Sequence, residues 1–392
     1  MQNRTIVRVI GVLACAVALS GCTTVKGWFA SKEKATKPAE LVDFTPTTRV
    51  QRLWSADIGK GEGRNGARQR PVAADGRVFA SGGDSSIRAL DLHTGQTAWV
   101  WNGADKSRWT GGPGVGDGLV VAGSLDGEVV ALDASSGTER WKAKVPNEII
   151  AAPAIGGGLV FVRSNDGRVS AFDATTGTPR WTWRTDLAPL TVRGNAGLTL
   201  GPGYLFVGND NGRVTALSAM DGSELWEVTV AQPEGRSVLD RMNDIDGQPL
   251  LDGTLLYVSS YKPRTAAIEA PTGRVLWLQE NGGVGGIGLG DTRLAVSDAR
   301  DVVWSLDRSN GAPMWQQPGF ARRDLSAPAA QGNFVVVGDA DGYLHWLSGD
   351  DGSMAARARV SRKAIRAQPV VVDGILLVQD VDGGLSAWQA GL

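Results

Sequence analysis

The sequence predicts an all-β chain, an eight-bladed β-propeller of four-stranded antiparallel blades whose ring is closed by an N-terminal strand completing the last blade. Three observations predict it. A short unit of the form Ala-Leu-Asp, turn, Gly, Trp recurs along most of the chain. Asp-Gly and Gly-Gly pairs separate short apolar runs, the punctuation of tight hairpins. The two ends of the body carry complementary fragments of the same unit.

The repeats follow in order. Ile87-Arg88-Ala89-Leu90-Asp91 leads to Gly95 and Trp99, and Val129 to Asp133 leads to Gly137 and Trp141. Val169 to Asp173 leads to Gly177 and Trp181, and Val214 to Ser218 leads to Gly222 and Trp226. Weaker copies end in Gly273 and Trp277, then Gly311 and Trp315; a seventh has Gly352 but Ala356 in place of Trp. The marker glycines are 42, 40, 45, 51, 38 and 41 residues apart. In the second unit, residues 112–115, 119–124, 128–133 and 139–143 form four alternating segments with turn residues between them. Four antiparallel strands in such a span make one propeller blade. At a mean spacing near 43, residues 50–392 hold eight. Leu385-Ser386-Ala387-Trp388 is a third strand with no fourth after it, and Arg52-Leu53-Trp54 is an outer strand with nothing before it. Joining them removes an exposed sheet edge. The Trp of each outer strand is expected to seal the packing between blades.

The N-terminus reads as an address. Arg4 and Arg8 precede an apolar run, Val9 to Leu19, too short for a comfortable membrane span. It ends in Leu19-Ser20-Gly21-Cys22, which matches the lipobox of bacterial lipoproteins. Residues 1–21 are therefore expected to be a lipoprotein signal peptide, with lipidation on Cys22. Thr23 stands where lipoproteins retained in the inner membrane of enterobacteria usually carry Asp, which implies the outer membrane, periplasmic face. Residues 22–48, rich in Lys, Pro and small polar side chains, are expected to form a flexible tether to the propeller at 49–392.

Composition narrows the chemistry. Lys and Arg number 40 against 41 Asp and Glu, so there is no basic excess for a nucleic-acid partner. Cys15 and Cys22 are the only cysteines, so the body can hold no disulfide, zinc-thiolate site or Cys nucleophile. Asp91, Asp133, Asp173 and Asp307 recur at one position of the unit, as turn-stabilising residues do and a unique catalytic acid does not. Asp339-Ala340-Asp341-Gly342 lacks the later ligands of a calcium loop and reads as a hairpin turn. His93 and His345 have no nucleophile motif near them. Asn281 to Gly290 is glycine-rich but does not lead from a strand into a helix, so it reads as the inner strand of blade six. No catalytic residue, metal site or cofactor site is expected.

The informative places are where the period lengthens. The two longest intervals place extra residues at 182–200 and 228–249, in consecutive outer-to-inner connections that share one face of the disc. Long loops on a rigid scaffold are where function concentrates. The first carries Pro189-Leu190-Thr191-Val192-Arg193-Gly194 and the second Asp240-Arg241-Met242-Asn243-Asp244-Ile245-Asp246, an anchor-and-charge mixture suited to a protein partner.

Two resemblances follow from these residues. The Ala-Leu-Asp-x-x-Thr-Gly-x-x-x-Trp unit resembles the repeat of pyrroloquinoline-quinone dehydrogenases, which implies the eight-bladed fold and offers an alternative reading as a periplasmic quinone-dependent oxidoreductase. The body lacks the adjacent Cys pair that many of those enzymes place over the cofactor. Lipobox, tether, repeats and the two loops together, with Val337 to Trp346, resemble the BamB family, lipoproteins of the outer-membrane β-barrel assembly (BAM) machinery. That resemblance implies a non-enzymatic scaffold that docks a periplasmic POTRA domain of BamA and works beside the other BAM components. It helps deliver nascent outer-membrane β-barrel proteins and could touch them through a blade edge. By position it assigns the BamA contact to Leu190, Val192 and Arg193 on one loop and to Asp244 and Asp246 on the other. Val192 stands where the family often has Leu. A third reading, a glycan-contacting propeller, uses Trp109 as an exposed sugar platform.

Overall fold

The computed structural model describes residues 37–62, 66, 68–103, 108–185, 196–232, 244–245, 247–261, 263–283 and 286–391. Its strands form eight four-stranded antiparallel sheets, the expected blades. Blade two runs Trp109–Gly116, Leu119–Ser124, Glu128–Asp133 and Glu139–Lys144, so the alternation and turn signals located its strands to within a few residues. The inner strand begins earlier than expected because Gly111 and Gly112 interrupt its register rather than start it. Blade eight closes the ring: Val50–Asp57 pairs antiparallel with Gly384–Ala390, from Val50 opposite Ala390 to Asp57 opposite Gly384. No described helix is long and apolar enough to cross a membrane.

The core lies between blades. Phe79, Ile87 and Ala89 of blade one pack on Val120, Ala122, Val130 and Leu132 of blade two, and comparable clusters fill the other junctions. A blade cannot bury its two apolar faces alone, which is why the unit repeats until the ring shuts.

Seven junctions carry one further device. The outer-strand Trp of each blade lies over the marker glycine of the next, pairing Trp54 with Gly95, Trp99 with Gly137, and so on to Trp315 with Gly352. Each glycine has φ between 68° and 76°, a turn conformation that costs a side-chain-bearing residue about 1–2 kcal/mol. A Cβ there would also sit 2.5–2.8 Å from the Trp ring. Glycine is thus required twice, for the turn and for the ring above it. The indole N–H completes the latch by donating to a backbone carbonyl of the same turn, as Trp54 Nε1 does to Leu92 O at 2.8 Å and Trp141 Nε1 to Ala174 O at 2.8 Å. The repeated Asp shapes the turn from inside. Asp133 Oδ1 accepts from the N–H groups of Ser135 and Ser136, and hydrogen bonds from the Ser135 hydroxyl, Arg140 and Ser136 hold its carboxyl far below the usual range.

Part of the expected tether is docked. Residues 37–48 run along the outer strand of blade seven: Thr47 N–H donates to Ala355 O, Arg357 donates to Val42 O, and its guanidinium lies 5.0 Å over the Phe44 ring. Further up, Ala39 N–H donates to Ala321 O while Arg323 donates to Ala39 O at 2.8 Å. The backbone groups of this segment, not its polar side chains, make these contacts with the propeller.

Candidate functional site

Alternating strand direction puts all outer-to-inner connections on one face, together with the turns between second and third strands. The two lengthened connections leave that face from neighbouring blades. The strand Pro179–Arg184 of blade three leads into the first, which returns at Thr199–Gly201 of blade four. The strand Glu224–Thr229 leads into the second, which returns at Leu250–Asp252 of blade five.

The feet of the two loops are tied together. Gln248 Nε2 donates to Leu198 O at 2.9 Å, and Thr199 Oγ1 donates to Pro249 O at 2.5 Å. Beneath them lies a buried cation. Arg163, at the upper end of the second strand of blade three, is 2% exposed. It donates to Ala196 O at 3.1 Å, to Gly208 O at 2.6 Å and to Asp210 at 3.1 Å. One guanidinium therefore holds the foot of the first loop, the strand end of blade four and a buried acid. Buried charges persist when paired and fully hydrogen-bonded, and they then fix geometry rather than add stability. The foot of the second loop is held by backbone bonds: Ile245 N–H donates to Asn209 O, and Tyr261 N–H to Asp244 O. Ile245 is fully buried and fills the space left by Gly208, where a Cβ would meet it at 2.6 Å.

Of the residues assigned to the BamA contact, Leu190, Val192, Arg193 and Asp246 lie outside the described residues, as does Cys22. Asp244 is described, and its position corrects the expectation of a solvent-facing acid. It has no exposed surface. It sits at the base of the loop, where its flanking Ile245 is drawn into the blade and its own carbonyl is spent on Tyr261. Trp109 is likewise 1% exposed, with its indole N–H on Ser85 O, so it is no sugar platform. Among the described residues no group of three or more His, Cys, Asp or Glu could hold a metal ion.

Sequence reasoning missed Arg163. The signal was present in the repeat column. At the upper end of the second strand the other blades carry Ser81, Gly123, Gly208, Ser259, Ser297, Gly338 and Gln379, and only blade three places a charge there. It missed a second buried network as well. Asp339 and His345 are fully buried, with His345 Nε2 on Asp339 Oδ2 at 2.9 Å, and Arg323 donates to both Asp339 and Asp341 at 2.8 Å. Burial pushes the Asp339 carboxyl up, but hydrogen bonds from His345, Tyr343 N–H and Arg323 outweigh it and hold it below its usual range. Burial pulls His345 below the usual histidine range despite the neighbouring carboxylate. Its Nδ1 has no partner among the described residues, so a proton there would be stranded in the core. This network anchors the docked N-terminal segment through Arg323.

Comparison with known proteins gives the family. The family model described as "Outer membrane protein assembly factor BamB" matches residues 83–317. A protein of that name from Xanthomonas campestris is 52% identical, with 97% of each chain covered, and that of Escherichia coli is 34% identical over 95% of this chain and 96% of its own. The solved structure of BamB from Moraxella catarrhalis matches with a TM-score of 0.79 at 26% identity, over 87% of this chain and all of that one. A quinohaemoprotein alcohol dehydrogenase from Comamonas testosteroni matches with a TM-score of 0.66 at 14% identity, over 89% of this chain and 78% of that one, a likeness of fold alone. The chain belongs to the BamB family of outer membrane protein assembly factors.

Proposed function

We propose that this chain is a non-enzymatic scaffold of the outer-membrane β-barrel assembly machinery. It is anchored through a lipid on Cys22, and it docks a POTRA domain of BamA with the two lengthened loops. The observation that carries the docking site is the tie between their feet, Gln248 to Leu198 and Thr199 to Pro249, which brings the bases of two sequence-distant loops side by side. A platform fixed before binding loses less entropy when a partner arrives. Leu190 and Val192 supply the apolar anchors, and Arg193 and Asp246 the flanking charges. Asp244, buried at the base, positions the second loop.

Contact with nascent barrel proteins is a further part of this reading. The outer strand of blade five, Val275–Gln279, exposes Val275, Leu276 and Leu278 and bears no charged side chain. An uncharged sheet edge accepts an added strand more readily than the charged edges of blades two and three. Site-specific crosslinkers at Leu276 and Leu278 are expected to capture nascent barrels, and absence of adducts would remove this part.

The docking reading is tested by pull-down from solubilised outer membranes. The wild-type chain is expected to recover BamA, and Arg193→Ala and Leu190→Ala/Val192→Ala to lose it while remaining folded. Recovery of BamA by both variants would move the interface elsewhere. Added quinone and Ca²⁺ are expected to give no uptake and no dye reduction; uptake would instead favour the oxidoreductase reading.

A further inference from the structure

The propeller axis holds a charge for which neither the fold nor the proposed docking site accounts. In six of the eight blades a residue–Pro step marks the inner strand, and the residue before the proline is Arg70, Gly112, Ala152, Gln248, Ala327 or Gln368. Arg70 is the only charged member of that set. Three of these residues, Arg70, Gln248 and Gln368, line an axial cavity of about 450 Å³ whose walls come from the inner strands of several blades. Among the described residues Arg70 is its only charged lining residue, and Leu250, Leu289 and Val370 supply apolar surface.

The cation is held in place without being neutralised. Arg70 Nη1 donates to Gln368 Oε1 at 3.1 Å. Gln368 cannot turn away, because its Nε2 donates to Ile287 O at 2.9 Å and Pro328 O at 2.7 Å. A neutral amide oxygen therefore orients the guanidinium, and among the described residues no carboxylate forms an ion pair with it. Arg70 is half-buried at the wall of the cavity, and burial pulls its guanidinium below the usual arginine range. Arginine does not lose its proton in proteins, so the charge persists. A half-buried cation at the wall of a concave pocket that also offers apolar surface is a natural seat for an anion.

We propose that Arg70 anchors an anion-binding site on the propeller axis, which takes a small organic carboxylate with its apolar body against Leu250, Leu289 and Val370. One cation matches one negative charge. A carboxylate also fits the planar fork of the guanidinium through two parallel hydrogen bonds. The cavity shares Thr199, Gln248 and Pro249 with the feet of the proposed docking loops, but Arg70 itself takes no part in tying them.

Isothermal titration of the full chain tests it, with phenylacetate, its neutral twin phenylacetamide, and inorganic phosphate as probes. Phenylacetate is expected to bind the wild type saturably and to raise its Tm by about 2 °C at ten times Kd. It is expected to bind Arg70→Met at least about tenfold more weakly, since a charge-assisted bond is lost. Phenylacetamide and phosphate are expected to give no saturable heat. The neutral twin keeps the test decisive on wild-type protein if Arg70→Met does not fold. No binding of phenylacetate, equal binding of phenylacetamide, or tighter binding of phosphate would each overturn the proposal.

Discussion

Seven junctions of the ring and the eighth solve the same problem with different chemistry. In seven, a Trp from one blade covers a glycine turn of the next and donates to its backbone. Between blades seven and eight neither half of that device exists. Blade seven carries Ala356 where the Trp would stand, and blade eight has no third turn to cover because its outer strand arrives from the other end of the chain. Gln331, 3% exposed, takes over the seal. It accepts from Trp346 Nε1 at 2.8 Å and donates to Gly374 O and Trp388 O across the junction, while the Trp346 and Trp388 rings lie 6.1 Å apart. Residues 37–48 then cover the outer strand of blade seven. The missing Trp in the seventh repeat is a consequence of closure, not a decayed copy of the unit.

That contrast can be broken in several places, beginning with the largest effect. Asp339→Ala leaves Arg323 and His345 buried without their shared carboxylate and is expected to cost about 3–5 kcal/mol in denaturant unfolding. Its backbone exchange should rise first in blade seven and in residues 37–44. Gln331→Leu strands the Trp346 indole N–H and two carbonyls, and about 2–3 kcal/mol is expected, with a closing junction that opens before the latched ones. Gly177→Ala should cost more than Gly158→Ala. Both glycines have positive φ, 70° and 77°, but only the first faces a ring, that of Trp141. About 1 kcal/mol is expected at Gly158, and at least twice that at Gly177. Equal costs at the two positions would show that the latch is backbone conformation alone.

The smallest effect expected is one of pH. His345 and Asp339 are both depressed in the fold, so each contributes stability that is present above its ordinary range and lost as the pH falls. The histidine term is met first, below about 6.5, and the carboxylate term only below about 4. Between pH 7 and pH 5 the wild-type unfolding free energy is expected to fall, and His345→Gln should flatten that slope. An unchanged slope in the variant would place the titrating group elsewhere.

Much of this was legible in the one-dimensional pattern. The blade count, the closure by Arg52-Leu53-Trp54, the sealing role of the Trp and the turn role of the repeated Asp are local or periodic, and a repeat states them many times over. The candidate site was legible as two broken periods, but not the side of the chain that each residue faces: Asp244 reads as one of a pair of loop acids and is buried. Residues 37–48 read as a tether, because a polar, proline-bearing segment carries no pattern for the carbonyls it offers to Arg323 and Arg357.

Repetition along the chain encodes strand period, turn chemistry, number of blades and the way the ring shuts. Which charges are buried, and which partners they find, is settled by packing alone. Arg163 reaches across to the next blade, Arg70 meets Gln368 from the opposite end of the chain, and Arg323 holds a segment nearly three hundred residues away. Each sits at a single break in the repeat. The physical reason is that a side chain's solvation depends on neighbours brought together by ring closure, which no local pattern specifies.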